Sequence, residues 1–177
     1  MLRKTMLVLA AFTALTALPA RARSVEYAAT LSGQSATIRT GSSARATATI
    51  SVDLAAKTVA ITMNVVGLSV DALWDRLVKA PIGPIHLHQY ANGNLADAGA
   101  SELAFPLPYG PSYKSTRNGF RIRTGAQPYA KAVAPLGQQA SFETFVAALE
   151  NGTIVVNIHT DAFNEGEING KVAKVRG

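Results

Sequence analysis

The residues of this chain whose types and spacing best support chemistry are its three histidines, and it has no others. His86 and His88 form a His-x-His pair in the run Ile85-His86-Leu87-His88, and His159 ends Asn157-Ile158-His159. Both runs read as strands. Side chains at i and i+2 of a strand point to one face, so the first two rings can converge. A third imidazole from a neighbouring strand would complete a three-nitrogen metal site at His86, His88 and His159. Imidazole suits copper and zinc, whereas calcium and magnesium take oxygen. At a given nitrogen site Cu(II) usually binds more tightly than Zn(II), so copper is the first expectation and zinc the second.

Other groups near these rings could contribute. Asp161, Glu165 and Glu167 follow His159 closely enough to add a carboxylate. Glu167 could instead fix a loop or hold a ligand's second ring nitrogen. Tyr90 shares the histidine face if its strand continues. The plainer reading of a lone His-x-His is two rings hydrogen-bonded at a strand end. A single further histidine in a second strand tips the balance towards metal. The chain has no cysteine, which excludes thiolate sites and disulfides. There is no glycine-rich phosphate loop, no nucleophile elbow and no Ser-His-Asp set with defensible spacing.

The elements that must position these rings are mainly strands. Period-two alternation marks Val25 to Leu31, Ala44 to Val52 and Lys57 to Val66, with Val59, Ile61, Met63 and Val65 on one face. A short hairpin loop at Asp53 to Lys57 implies that the last two pair antiparallel. Leu68 to Ala80 breaks the pattern and predicts a short helix, capped by Ser69, with Leu73, Trp74 and Leu77 buried. Pro81, Gly83 and Pro84 end it. Further strands are expected at Ile85 to Tyr90, Leu103 to Leu107, Gly119 to Arg123, Thr153 to His159 and Gly166 to Val175. Loops are expected at Ala91 to Gly99, Pro106 to Asn118 and Thr160 to Glu165. A second helix is expected at Ser141 to Glu150, with Ser141 as its N-cap and Phe142, Phe145, Val146 and Leu149 at helical spacing. Many short strands with turns between them point to an antiparallel sandwich or barrel.

The start of the chain reads as an export signal. Arg3 and Lys4 precede an apolar stretch from Met6 to Leu18, and Pro19-Ala20-Arg21-Ala22 supplies small residues at a cleavage site. The run is shorter than the roughly 20 apolar residues of a membrane span. The expected organisation is a signal peptide over residues 1–22 and one domain over residues 23–177, in the periplasm or secreted, with no membrane anchor after cleavage. The whole sequence has 17 basic and 11 acidic residues, a formal +6. Removing Arg3, Lys4 and Arg21 leaves 14 against 11, or +3. That surplus contains no basic run and argues against nucleic acid as a partner. Arg121 and Arg123 alternate in a strand and read as a solvated face.

Taken in order, several segments resemble the chordin-type domain family, CHRD. They are Tyr27 to Gly33, Ala44 to Asp53, Ile85-His86-Leu87-His88, Gly152 to Thr160 and Gly166-Glu167-Ile168-Asn169-Gly170-Lys171-Val172. The helix Phe142 to Leu149 also stands before the Asn-x-His-Thr strand, as it does in the family. The resemblance spans nearly all of the chain after the signal and implies an extracellular or periplasmic β-sandwich. The layout also resembles copper/zinc superoxide dismutase, which implies an all-β, antiparallel Greek-key β-sandwich with one or two short helices and His86, His88 and His159 as copper ligands. Two features depart from the CHRD pattern. Gln89 and Tyr90 follow the second histidine where glycine is usual, and the Leu68 to Ala80 insertion is long. The bridging histidine, the other zinc ligands and the disulfide cysteines of the dismutase have no counterparts, so a dinuclear site is excluded. Arg121, Arg123 and Lys171 match its cationic guide residue by charge alone.

The first functional expectation is therefore an exported copper-binding protein for sequestration or transfer, a binder before an enzyme. The second is a copper-only, dismutase-like oxidoreductase. The third is a metal-free module that binds protein or glycan through the Ala91 to Gly99 and Pro106 to Asn118 loops. A homodimer or a protein partner stays open.

Overall fold

A computed structural model describes residues 24–35, 39–90, 94, 97, 99, 101–137 and 140–175. The expected signal peptide and its cleavage site lie outside the described residues, as does most of the Ala91 to Gly99 loop. The described chain forms one curled, all-antiparallel sheet with a few short helices.

Three nine-residue strands start it: β1 (Ser24–Ser32), β2 (Arg45–Asp53) and β3 (Thr58–Val66). They pair without a register break, from Ser24↔Asp53 to Ser32↔Arg45 and from Arg45↔Val66 to Asp53↔Thr58. Alternation causes this register. Ala46, Ala48, Ile50 and Val52 of β2, with Val59, Ile61, Met63 and Val65 of β3, are buried, whereas Thr47, Thr62 and Asn64 are exposed. A one-residue slip would reverse every one of them. The hairpin turn is set by Asp53, whose Oδ1 accepts the backbone N–H of Ala55 at 2.9 Å and of Ala56 at 2.8 Å.

The chain then crosses to the other end of the sheet to form β4 (Ile85–Tyr90) and β5 (Ser101–Leu107). It returns to the free edge of β3 with β6 (Tyr113–Thr116) and β7 (Gly119–Arg123). Next come β8 (Gln127–Pro128), α2 (Tyr129–Val133) and α3 (Phe142–Glu150), whereas α1 (Asp75–Val78) lies between β3 and β4. The last strands are β9 (Ile154–Ile158), β10 (Ile168–Lys171) and β11 (Ala173–Lys174). The strand order is β5-β4-β9-β10-β1-β2-β3-β7-β6, with β11 on β1 and β8 on β3. The pair β9–β10 thus joins the two groups of strands.

Helix α3 follows its expected boundaries, and Ser141 Oγ accepts the Thr144 N–H at 3.1 Å as an N-cap. Its Phe145 stacks on Phe105 (centroids 5.7 Å apart) and on Tyr129 of α2 (5.1 Å), so the two helices close the core with aromatic rings.

Several expectations need correction. Leu68 to Ala80 is not one helix but a 3₁₀ turn at Val70–Ala72 followed by the four-residue α1. The Ser69 side chain caps neither, and Trp74 is only half-buried. Leu73 is instead drawn into an isolated bridge with Thr160, which forces extended backbone between the two turns. Within the expected loop Pro106 to Asn118, Pro106 and Leu107 belong to β5, and Tyr113–Thr116 forms β6. Tyr113 is buried there, its hydroxyl donating to the Leu107 carbonyl at 2.7 Å. The last strand is divided at Val172, whose N–H donates to Ile154 O at 2.9 Å. Helix α2, too short to show a period in the sequence, supplies Tyr129 and Val133 to the core.

Candidate metal centre

The site grows out of the alternation in β4. Ile85 and Leu87 enter the core, so His86 and His88 project from the opposite face of the sheet. Strand β9 lies beside them, with His86 opposite Asn157 and His88 opposite Val155. The ladder continues one step past β9, where the His159 N–H donates to Pro84 O at 2.9 Å. His159, two residues beyond Asn157, therefore projects on the same face, diagonal to His86. Ring centroids are 4.5 Å apart for His86 and His159, 4.8 Å for His86 and His88, and 6.4 Å for His88 and His159. The structure thus brings all three histidines together, with one ring nitrogen from each within 4.8 Å of the others. An ion about 2.0–2.1 Å from each of three imidazoles places their nitrogens roughly 3.3–3.6 Å apart in tetrahedral or trigonal geometry. Closing on an ion from separations of up to 4.8 Å takes roughly an ångström of side-chain rotation in the widest pair.

A sheet face of this kind is ordinarily wet, but here it is covered. His86 is 4% exposed and His159 7%. The cover consists of the segment 68–80 and the loop 160–167, stitched to each other. The Trp74 N–H donates to His159 O at 3.1 Å, and the Asp161 N–H to Ala72 O at 3.1 Å. The Asp75 N–H donates to Asp161 Oδ1 at 3.1 Å. The Trp74 ring stands 6.4 Å from that of His159. Segment 68–80 therefore packs beside His159 at one side of the site.

Hydrogen bonds orient two of the rings. Nδ1 of His86 is 3.2 Å from Gly83 O, and Nδ1 of His159 is 2.8 Å from Asn164 O. A carbonyl can only accept, so each Nδ1 carries the proton and leaves the Nε2 lone pair for an ion. Gly83 can bring its carbonyl there because its φ of +75° and its close approach to Leu107 leave no room for a Cβ. Burial, then the neighbouring His159 and His88, pushes His86 down to about 3 against the weaker opposing pull of the Gly83 carbonyl. Burial and His159 push His88 down to about 4. Burial also lowers His159, opposed by the Asn164 carbonyl and the charge of Glu165. All three rings are neutral near pH 7, the form that binds metal.

Among the described residues, the buried side-chain atoms without a hydrogen-bond partner are both ring nitrogens of His88, Nε2 of His159 and Oδ1 of Asn157. All four belong to this face. Each such atom costs about 1–3 kcal/mol when left unsatisfied; a bound cation would relieve those that offer a lone pair, while the second nitrogen of His88 carries the proton of the neutral ring. The donor set fits copper or zinc.

The carboxylates take other places. The described group able to hold an ion contains His86, His88 and His159 and no acid. Asp161 and Glu165 are exposed. Glu167 is buried and braces the site instead. Its Oε2 accepts from Thr160 Oγ1 at 2.7 Å and its Oε1 from Ser42 Oγ at 2.6 Å. Its backbone N–H donates to Ile158 O at 2.7 Å and its carbonyl accepts from Thr40 Oγ1 at 2.7 Å. Of the roles expected for Glu167, it fixes the loop, and backbone carbonyls hold the ring nitrogens of His86 and His159. Tyr90 is buried one step beyond His88 on the same face. Arg121 and Arg123 are exposed on β7, at the other end of the strand order from β4, whereas Lys171 of β10 pairs with Val155. Asn157 was missed as a member of this face. Its signal was a lone polar side chain inside a buried, β-branched strand.

Among the described residues no helix is long and apolar enough to cross a membrane. No curated protein and no solved structure matches the chain. The CHRD domain matches residues 27–172, a span that contains β2 and β3, the His-x-His strand, the covering loop 160–167 and His159. The chain therefore belongs to the CHRD domain family.

Proposed function

We propose that this CHRD-domain protein is exported, to the periplasm or beyond the cell, and binds copper through His86, His88 and His159 for sequestration or transfer. The observation that carries the reading is the convergence of three neutral imidazoles, His86 and His159 buried and His88 half-buried, with nitrogens of His88 and His159 that have no protein partner. Zinc is the second metal that the donor set suits. The burial of His86 and His159 favours holding an ion over rapid turnover at an open one, so a binder is preferred to a dismutase-like enzyme. A Greek-key sandwich related to that of the dismutase belongs to the same proposal. It is supported by the two crossings of the chain between β3 and β4 and between β5 and β6.

The test is metal analysis of protein recovered from the compartment where it accumulates, beside a His159→Ala variant. The expected result is about one copper per chain in the wild type and none in the variant. Equal metal content in the two would overturn the site.

A further inference from the structure

Asn157 lies inside β9, whose other residues are Ile and Val, and it is 6% exposed. A valine would pack there and leave no polar group to satisfy. The pairing places Asn157 opposite His86, two residues before His159, and diagonal to His88 across the Val155 pair. Side chains in those relations on one sheet face stand about 4.5–8 Å apart. The short carboxamide therefore sits among the three longer rings. A Cβ on Gly166 would lie 3.7 Å from Asn157 Nδ2, so the amide nitrogen faces the loop and the oxygen turns the other way. That Oδ1 is the one oxygen among the four buried side-chain atoms without a partner.

Building on the metal reading above, we infer that Asn157 Oδ1 is the fourth donor, making a site of three nitrogens and one oxygen. A mixed nitrogen and oxygen set suits Cu(II), whereas Cu(I) favours the soft sulfur ligands that this cysteine-free chain lacks on this face. The consequence is selectivity for the oxidised ion.

The experiment titrates Cu(II), and separately Cu(I) under reducing conditions, into purified wild type, Asn157→Leu and Asn157→Asp, with electron paramagnetic resonance of the Cu(II) forms. Asn157→Leu is expected to weaken Cu(II) by about tenfold or more, to leave Cu(I) within about twofold, and to change the Cu(II) spectrum. Asn157→Asp is expected to bind Cu(II) at least as tightly as wild type. If Asn157→Leu does not fold, Asn157→Val, a natural strand former, is measured in its place. Wild-type Cu(II) affinity and spectrum in the apolar variant would overturn the inference. Copper loss in His159→Ala beside that result would leave the three-histidine site standing, whereas copper retention in His159→Ala would remove the site itself.

Discussion

The same sheet presents its outer face in two ways. Across β2, β3, β7 and β6, one row runs Thr47, Asn64, Arg121, Lys114, and all four are exposed. Across β4, β9 and β10, a comparable row runs His86, Asn157, Asn169, and all three are buried. Backbone geometry is alike in the two regions. The difference is the layer laid over the second by segment 68–80 and loop 160–167. Water satisfies the polar groups of the first row. Dehydration in the second holds imidazoles neutral and leaves their nitrogens to whatever enters. Polar residues on a strand thus become a site through what covers them more than through what they are.

Acid should separate the two regions most strongly. His86 and His88 titrate in the folded chain near 3 and 4, below their unfolded value of 6.5. The folded state therefore binds fewer protons, and the stability these rings contribute is complete above about pH 6.5 and is lost as pH falls towards 4 and 3. For metal-free protein the expected slope in that window is roughly 1.4 kcal/mol per pH unit for each ring. Urea unfolding from pH 7 to pH 4 measures it. A His86→Gln, His88→Gln variant should give a much flatter curve, and an identical curve would refute the dehydrated, neutral state of these rings.

A smaller effect is expected from the brace. Glu167→Ala leaves the Ser42 and Thr160 hydroxyls without their shared acceptor, at a cost of about 2–3 kcal/mol. It should also loosen the loop that orients His159 and weaken copper binding by about tenfold or more. Denaturant midpoints and copper titration together check this. Unchanged copper affinity in a destabilised variant would show that the brace serves the fold and not the site.

The smallest effect belongs to the open face. Arg121→Ala and Thr62→Val should change stability by no more than about 0.5 kcal/mol and leave copper affinity untouched. A clear loss of affinity in either would show that the two faces are not independent.

Much of this was legible in the residues. The alternation of Ala44 to Val66 specified a hairpin because period two admits one register that buries an apolar face. Helix α3 was legible because its cap, its spacing and its Asn-Gly stop all agree. The Leu68 to Ala80 segment was misread because its apolar residues do have helical spacing. Its backbone, however, is decided by hydrogen bonds to His159 and Asp161, distant in the chain. β6 was hidden because Tyr113 is its one buried residue, which leaves no alternation to read.

The sequence by itself determined which atoms could bind a metal, that His86 and His88 share a face, and that no thiolate competes, since these depend on residue type and spacing of two. Tertiary structure decided that His159 meets them, that Glu167 braces a loop rather than a ring, and that Asn157 stands among the donors. Of these outcomes, the place of Asn157 is its position on the same face, opposite His86. All of them follow from which strands pair and which loop covers them, and pairing between segments some seventy residues apart is set by the packing of the whole sheet.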